Sequence, residues 1–224
     1  MSDTPRAYWR LGETSGTVAT DEVGTAPGQY RNGVVLGALG ALFADANKAA
    51  RFDGKDELIG MSDPASGVLD IATGDATIEA WVKAGAENDR AIISKRVFLT
   101  TQPYWEVTVT DDQGQKGHIR VVVWNGTVTR TAYGPAIRVD KEGWHHVVVL
   151  LDRDLGITVY VDGVSKTTTG AFTGTLANTG ELILGKSTNP FIPYYKGDLD
   201  EVALYGNLLT PARIQAHLSK ARTG

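Results

Sequence analysis

The sequence predicts an all-β fold, a two-sheet antiparallel sandwich with one short C-terminal helix. Three observations predict it. Runs of alternating apolar and polar residues recur along the whole chain and are bounded by turn residues, the pattern of many short strands. Glycine is abundant, at 26 of 224 residues, and Asn125-Gly126 and Asp162-Gly163 stand between strand-like runs where tight hairpins are expected. Only one segment, close to the C-terminus, repeats its apolar residues with helical spacing.

The strands follow in order. Residues 76–83 place Ile78, Ala80 and Val82 on one face and Thr77, Glu79 and Trp81 on the other. In residues 105–110, Trp105, Val107 and Val109 point one way. The run 118–125 sets Ile119, Val121 and Val123 against Arg120, Val122 and Trp124, and 127–133 follows across the Asn125-Gly126 turn. The run 143–152 is the strongest strand, with His145 and His146 on opposite faces. It is followed by 156–163, where Ile157, Val159 and Val161 alternate with Thr158 and Tyr160, and by the short apolar run 180–185. Thr210-Pro211 is an N-cap with proline in the first helical position, and Ile214 and Leu218 then share a face, which predicts a helix from Pro211 to about Ser219. No linker, low-complexity stretch or internal repeat divides residues 1–224, so one domain is expected.

Composition narrows the partners. A net charge of −4 with interspersed signs argues against nucleic acid, which favours a basic face. No apolar stretch reaches the roughly 18 residues of a membrane span. The absence of cysteine removes disulfides and thiolate metal sites. The start, Met1 through Leu11, lacks the basic and apolar regions of a secretory signal. An outward-facing location reached without export, as on a virion released by lysis, is therefore the expectation.

Five blocks in order resemble the laminin-G-like, concanavalin A-like lectin/glucanase family. They are Tyr8 to Gly16 with Asp21 to Gly24; Phe52-Asp53-Gly54; Thr77 to Lys83; Gly143-Trp144 with Val159 to Gly163; and Gly197 to Tyr205 followed by Leu208 to Pro211. The resemblance implies a jelly roll, with one concave sheet and the first and last strands adjacent. It names a fold better than a function, since such folds host lectins, hydrolases and structural modules.

It also implies a structural calcium where the N-terminal segment meets the last strand, held by Asp21, the Gly24 carbonyl and Asp200, with Asp53 nearby. Calcium takes six to eight oxygens, and carboxylates mixed with carbonyls suit it. A second reading stays open, in which Asp21 closes a turn and Asp200 caps a strand through backbone hydrogen bonds.

Catalysis is not expected. Glycan hydrolysis needs two carboxylates facing one bond, whereas Glu79 sits alone on its strand and no acidic pair shares a strand face. The histidines show no metal spacing and are read as structural. Recognition is the better expectation. Trp9, Trp81, Trp105 and Trp144 fall at core-like positions. Trp124 shares its face with Arg120, and Phe191, Tyr194 and Tyr195 crowd one loop, with Tyr104 and Tyr133 near the same rim. The sequence thus predicts a non-catalytic binding or adhesion module that takes a surface polysaccharide through Trp124, Arg120, Phe191, Tyr194 and Tyr195. The alternative is a structural module contacting another virion or cell-surface protein.

Overall fold

In the computed structural model, residues 3–85, 90–112, 114–141 and 143–223 are described. Their elements, in chain order, are β1 (Ala7–Trp9), β2 (Val18–Ala19), β3 (Gly28–Arg31), β4 (Val35–Leu39), β5 (Lys48–Asp53), β6 (Leu58–Met61), β7 (Ala76–Ala84) and β8 (Arg90–Lys95). Then come β9 (Tyr104–Val109), β10 (Ile119–Trp124), β11 (Thr129–Tyr133), β12 (His145–Asp152), β13 (Gly156–Val161), β14 (Val164–Thr169), β15 (Leu182–Leu184), β16 (Lys196–Tyr205) and the helix α1 (Pro211–Thr223).

The strands form two antiparallel sheets. One runs β14-β13-β12-β7-β16-β5-β4, with β1 also paired to β16; the other runs β11-β10-β9-β8-β15-β6-β3-β2. The first and last strands are therefore neighbours, Ala7 opposite Leu204 and Trp9 opposite Val202. This is the all-β jelly roll that the sequence predicts. Its core is the inward half of each alternation: Ile78 and Val82 from β7 and Val147 and Val149 from β12 meet Trp105 and Val107 from β9 and Val121 and Val123 from β10. All of these are at most 3% exposed, and burying each such side chain contributes roughly 1.5–3 kcal/mol.

The hairpins form where their residues demand. Asp162 and Gly163 both take positive φ, 51° and 80°, as a two-residue turn matched to strand twist requires. At the β10–β11 turn, Asn125 Oδ1 accepts the Val128 and Thr127 amides at 2.7 and 3.0 Å.

α1 begins at Pro211 as expected, with Thr210 Oγ1 accepting the Arg213 amide at 3.3 Å. It continues past Ser219 to Thr223, because Ala221 extends the apolar stripe of Ile214 and Leu218. The helix lies on the outer face of the first sheet. Ile214 packs with Val148, Leu150, Tyr160 and Tyr205, and Leu218 and Ala221 cover Trp81. Trp81 is thus buried, as its framework position suggested, but under the helix rather than between the sheets. Among the described residues no helix covers the outer face of the second sheet, and we call it the open face.

Candidate functional site

On the open face, β9 and β10 present Tyr104, Glu106 and Thr108 opposite Trp124, Val122 and Arg120. The alternation that buries Ile119, Val121 and Val123 leaves Arg120, Val122 and Trp124 half-buried on this side. Trp124 and Tyr104 are direct cross-strand partners, whose Cβ atoms stand about 5 Å apart. The Arg96 guanidinium lies 3.9 Å from the centre of the Tyr104 ring and 5.7 Å from that of Phe98. Phe98 in turn meets Phe191 edge-on at 6.5 Å. Trp124, Tyr104, Arg96, Phe98 and Phe191 therefore make one continuous strip, ending on Phe191 at 84% exposure with Leu99 beside Phe98 at 89%. Trp124, Tyr104 and Phe98 are half-buried and Phe191 and Leu99 exposed, and grouped apolar side chains of this kind make the strip a candidate interaction surface.

Arg120 belongs to the other end of the face, about 13 Å along β10 from Trp124. It reaches Asp112 Oδ2 at 3.3 Å, and the Tyr133 hydroxyl donates to the same oxygen at 2.6 Å. That hydroxyl and the nearby Arg120 hold the Asp112 carboxyl below the usual range.

The loop that carries Phe191 is tied down on the sheet. Glu106, almost fully buried, accepts from Arg96 Nη1 at 2.9 Å and from the Ser187 hydroxyl at 2.6 Å. Ser94 donates to the Lys186 carbonyl at 2.9 Å. Lys186 reaches the Ile192 carbonyl and sits 4.6 Å over the Tyr194 ring. Leu58 and Ile183 on the sheet and Lys186, Ser187, Pro190 and Tyr194 on the loop bound a shallow cavity of about 460 Å³. Tyr194 is half-buried at its wall.

Tyr195 corrects the sequence reading. It is fully buried in the core, edge-on to Phe52 at 5.8 Å, with its hydroxyl donating to the Asp198 carbonyl at 3.2 Å. The chain re-enters the sandwich there, so Tyr195 plugs its end and cannot touch a ligand.

The residues expected to hold calcium do not fit the ion. Asp21 Oδ1 accepts the Tyr8 and Val23 amides at 2.8 and 3.1 Å, and Oδ2 accepts from Thr25 N at 2.8 Å, Thr25 Oγ1 at 3.1 Å and Ala26 N at 2.9 Å. Its lone pairs are committed to the turn, which Gly24 completes at φ 85° by donating to the Asp21 carbonyl at 2.8 Å. Asp200 serves a different segment, accepting from Ala41 N at 2.7 Å and Asn47 Nδ2 at 3.3 Å, and burial pushes its carboxyl up to about 7. Asp53 pairs with Lys55 at 2.6 Å. Among the described residues, no three His, Asp or Glu side chains converge as a metal-ligand set. The turn-and-cap reading is the one the bonds match.

A deeper cleft of about 760 Å³ lies beneath α1, bounded by Tyr8, Arg10, Glu79, Trp81, Tyr205 and His217 among others. Here strand spacing missed a constellation. Glu79 is not alone: His146 Nε2 donates to its Oε1 at 2.6 Å, His217 Nδ1 approaches at 2.9 Å and the Tyr205 hydroxyl donates to Oε2 at 2.8 Å. These two histidines hold the Glu79 carboxyl down at about 2 against the cost of burial. The second nitrogen of His217 faces Asp3 at 3.0 Å, so both ring nitrogens meet carboxylates, and its pKa is raised above the usual value, chiefly by the bond to Glu79. Asp3 also takes Arg213 at 2.5 Å. On the far side Arg10 binds Glu201 at 2.9 Å and Asp45 at 2.8 Å, and the Tyr8 hydroxyl donates to Glu201. The carboxylates of this cleft are thus spent on its own bases and hydroxyls. Its work is to fasten helix, N-terminus and sheet together.

Solved structures share this architecture. Domain 4 of AbnA, a GH43 extracellular arabinanase from Geobacillus stearothermophilus solved in complex with arabinotriose, aligns with a TM-score of 0.69 at 19% identity, over 97% of this chain and 98% of that one. The binding domain of Paraclostridial Mosquitocidal Protein 1 aligns with a TM-score of 0.71 at 14% identity over 96% of this chain, and that of botulinum neurotoxin DC, solved with rat synaptotagmin II, with a TM-score of 0.70 at 10% identity over 99%. The chain spans about half the length of each toxin domain, 52% in both cases. At these identities the likeness is one of fold. No curated protein sequence matches the chain. A family model described as the concanavalin A-like lectin/glucanases superfamily matches residues 42–215, and the chain belongs to that family.

Proposed function

We propose that the protein is a non-catalytic carbohydrate-binding domain whose platform is the open-face strip from Trp124 to Phe191. The observation that carries this reading is the continuity of the strip, in which Trp124 pairs with Tyr104, Arg96 stacks on Tyr104, and Phe98 meets Phe191. Sugar rings present flat C–H faces, which pack on aromatic planes, and hydroxyls at their edges, which take hydrogen bonds from groups such as Arg96. The loop bonds to Glu106 and Ser94 hold Phe191 and Tyr194 in place before a ligand arrives, which lowers the cost of ordering them. The arabinanase domain, of nearly the same length and fold, holds an arabinose oligomer. Binding rather than hydrolysis is supported by the acids of this face: Glu106 is buried under Arg96 and Ser187, and Asp112 is engaged by Tyr133 and Arg120.

A glycan array of plant and bacterial polysaccharides tests the proposal. Wild-type protein is expected to retain one class of glycan, and Trp124→Ala and Phe191→Ala are expected to weaken it by about two- to twelvefold each, from a stacking contribution of roughly 0.5–1.5 kcal/mol per aromatic group. Silence across the array, or variants that bind as tightly as wild type, refutes it. A protein partner is the second reading, favoured by the exposure of Phe191 and Leu99, whose apolar tips suit a protein pocket. Under that reading Leu99→Asp abolishes a protein contact while glycan binding is absent throughout.

A further inference from the structure

Lys95 ends β8 with its side chain on the core side of the open sheet, in register with Trp105 and Leu182. It is fully buried. Four oxygens converge on its Nζ: the Asn178 carbonyl at 2.5 Å, Asp63 Oδ1 at 2.9 Å, Asp70 Oδ1 at 3.0 Å and the Gly180 carbonyl at 3.1 Å. Two come from the segment after β6 and two from the segment before β15. Three N–H donors serve four acceptors, and two carboxylates share one positive charge.

The same knot reaches the loop between β8 and β9. Asn178 Nδ2 donates to the Lys95 carbonyl at 3.1 Å and the Pro103 carbonyl at 3.0 Å, and the Asn178 amide approaches Asp70 Oδ1 at 3.4 Å. Gln102 Oε1 accepts the Thr179 amide at 2.9 Å. The loop fastened in this way carries Arg96, Phe98 and Leu99, the middle of the strip.

Two carboxylates and two carbonyls around one centre are the ligand chemistry of a hard divalent cation, which adds waters to reach six to eight oxygens. The side chains of Asp63 and Asp70 are 24% and 21% exposed, so water can reach that side. We propose that this junction is a cation site filled by the protein's own lysine, and that Lys95 does the work of a structural calcium ion, joining three loops at the rim of the binding face. Removing the lysine stem and its charge turns the cage into a calcium site. The link to the strip rests on the carbohydrate reading; the cation exchange does not.

The experiment follows thermal unfolding of the whole chain in EDTA, CaCl2, MgCl2 and KCl at matched ionic strength, with the glycan array run in parallel. Wild type is expected to melt at the same temperature in all four. Lys95→Ala is expected to melt lower in EDTA and to recover with calcium, half-maximally at about 10⁻⁴–10⁻³ M as for weak extracellular sites, and less with magnesium, which tolerates irregular geometry poorly. Lys95→Met, which fills the cage with an apolar stem, is expected to melt low with no recovery. Asp63→Asn in the Lys95→Ala background is expected to abolish the recovery. A wild type stabilised by calcium overturns the proposal. So does Lys95→Ala that melts like wild type, ignores calcium, or stays insoluble when refolded with it. A silent glycan array with the calcium recovery intact removes the carbohydrate reading and leaves the cation exchange standing.

Discussion

Replacing Glu79 by alanine removes the carboxylate on which the helix side of the molecule is hung. Glu79 is 6% exposed and receives His146 at 2.6 Å, Tyr205 at 2.8 Å and His217 at 2.9 Å. The substitution strands the Tyr205 hydroxyl and the His146 Nε2–H, both buried, and an unsatisfied buried donor costs about 1–3 kcal/mol. It also leaves His217 with one carboxylate where it had two. Breaking one side of a buried ion pair costs about 3–5 kcal/mol, so the two routes agree on about 4 kcal/mol. In a domain of this size each kcal/mol lowers the melting temperature by about 2–4 °C, which gives a fall of about 8–16 °C. Differential scanning calorimetry near pH 6 measures it, with Glu79→Gln as the milder companion because its amide oxygen still accepts from Tyr205. A melting temperature for Glu79→Ala within about 3 °C of wild type would falsify the clamp, since surface substitutions cost no more.

The remaining predictions concern pH and the chain ends. The His217 pKa is raised in the fold, so its stabilisation is complete below its ordinary value of 6.5 and fades as pH rises through the raised value. Glu79 is lowered, so its share is complete above 4.5 and fades as pH falls through about 2. Wild type minus His217→Gln in melting temperature should therefore be flat between those two ordinary values and shrink on the alkaline side; an unchanged difference up to pH 9 would contradict the pairing. Tyr195→Ala should cost about 3–5 kcal/mol as a buried aromatic truncation, and Tyr195→Phe only about 1 kcal/mol for the lost hydroxyl bond, both read by urea unfolding. Asp21→Ala should cost about 2–4 kcal/mol by freeing buried amides such as that of Ala26. Chelator should move neither wild type nor this variant, and a calcium-sensitive wild type would restore Asp21 as a ligand.

What the sequence made legible is what period two encodes. The outward placement of Trp124 and the burial of Ile119, Val121 and Val123 follow directly from alternation on β10. So does the separation of Thr77, Glu79 and Trp81 from the core face of β7. Alternation could also have found Tyr195, which shares its inward face with Leu199. That face then switches: Leu199 points inward, and so do Val202 and Leu204, because the pairing slips between Asp200 and Ala203 with Glu201 at φ 50°. A bulge is a backbone event without a residue signature here, so the switch of face within β16 was not legible in the sequence. The groups that meet only in three dimensions were silent. Glu79 and His217 are 138 residues apart, and Lys95 and Asn178 are 83 apart. No spacing rule connects such pairs, and an Asp followed by a turn looks the same whether its oxygens face a metal, an amide or a lysine.

The two faces of the sandwich differ in how their polar groups are used, and that difference supports the proposal of the open face as the binding platform. Beneath α1, Glu79, Glu201, Asp3 and Asp45 each meet a base within the same cleft, so a ligand entering there would have to break ion pairs that fasten the helix. A protein gains little from a site whose occupation loosens its own fold. On the open face the polar bonds run downward instead, from Glu106 to Arg96 and Ser187 and from Lys95 to its oxygen cage, and they fix the loops while leaving Trp124, Tyr104, Phe98 and Phe191 presented outward. Charged groups there support the surface without consuming it. That division, clamp on one side and platform on the other, is why Glu79→Ala is expected to change stability and Phe191→Ala to change binding, each without the other.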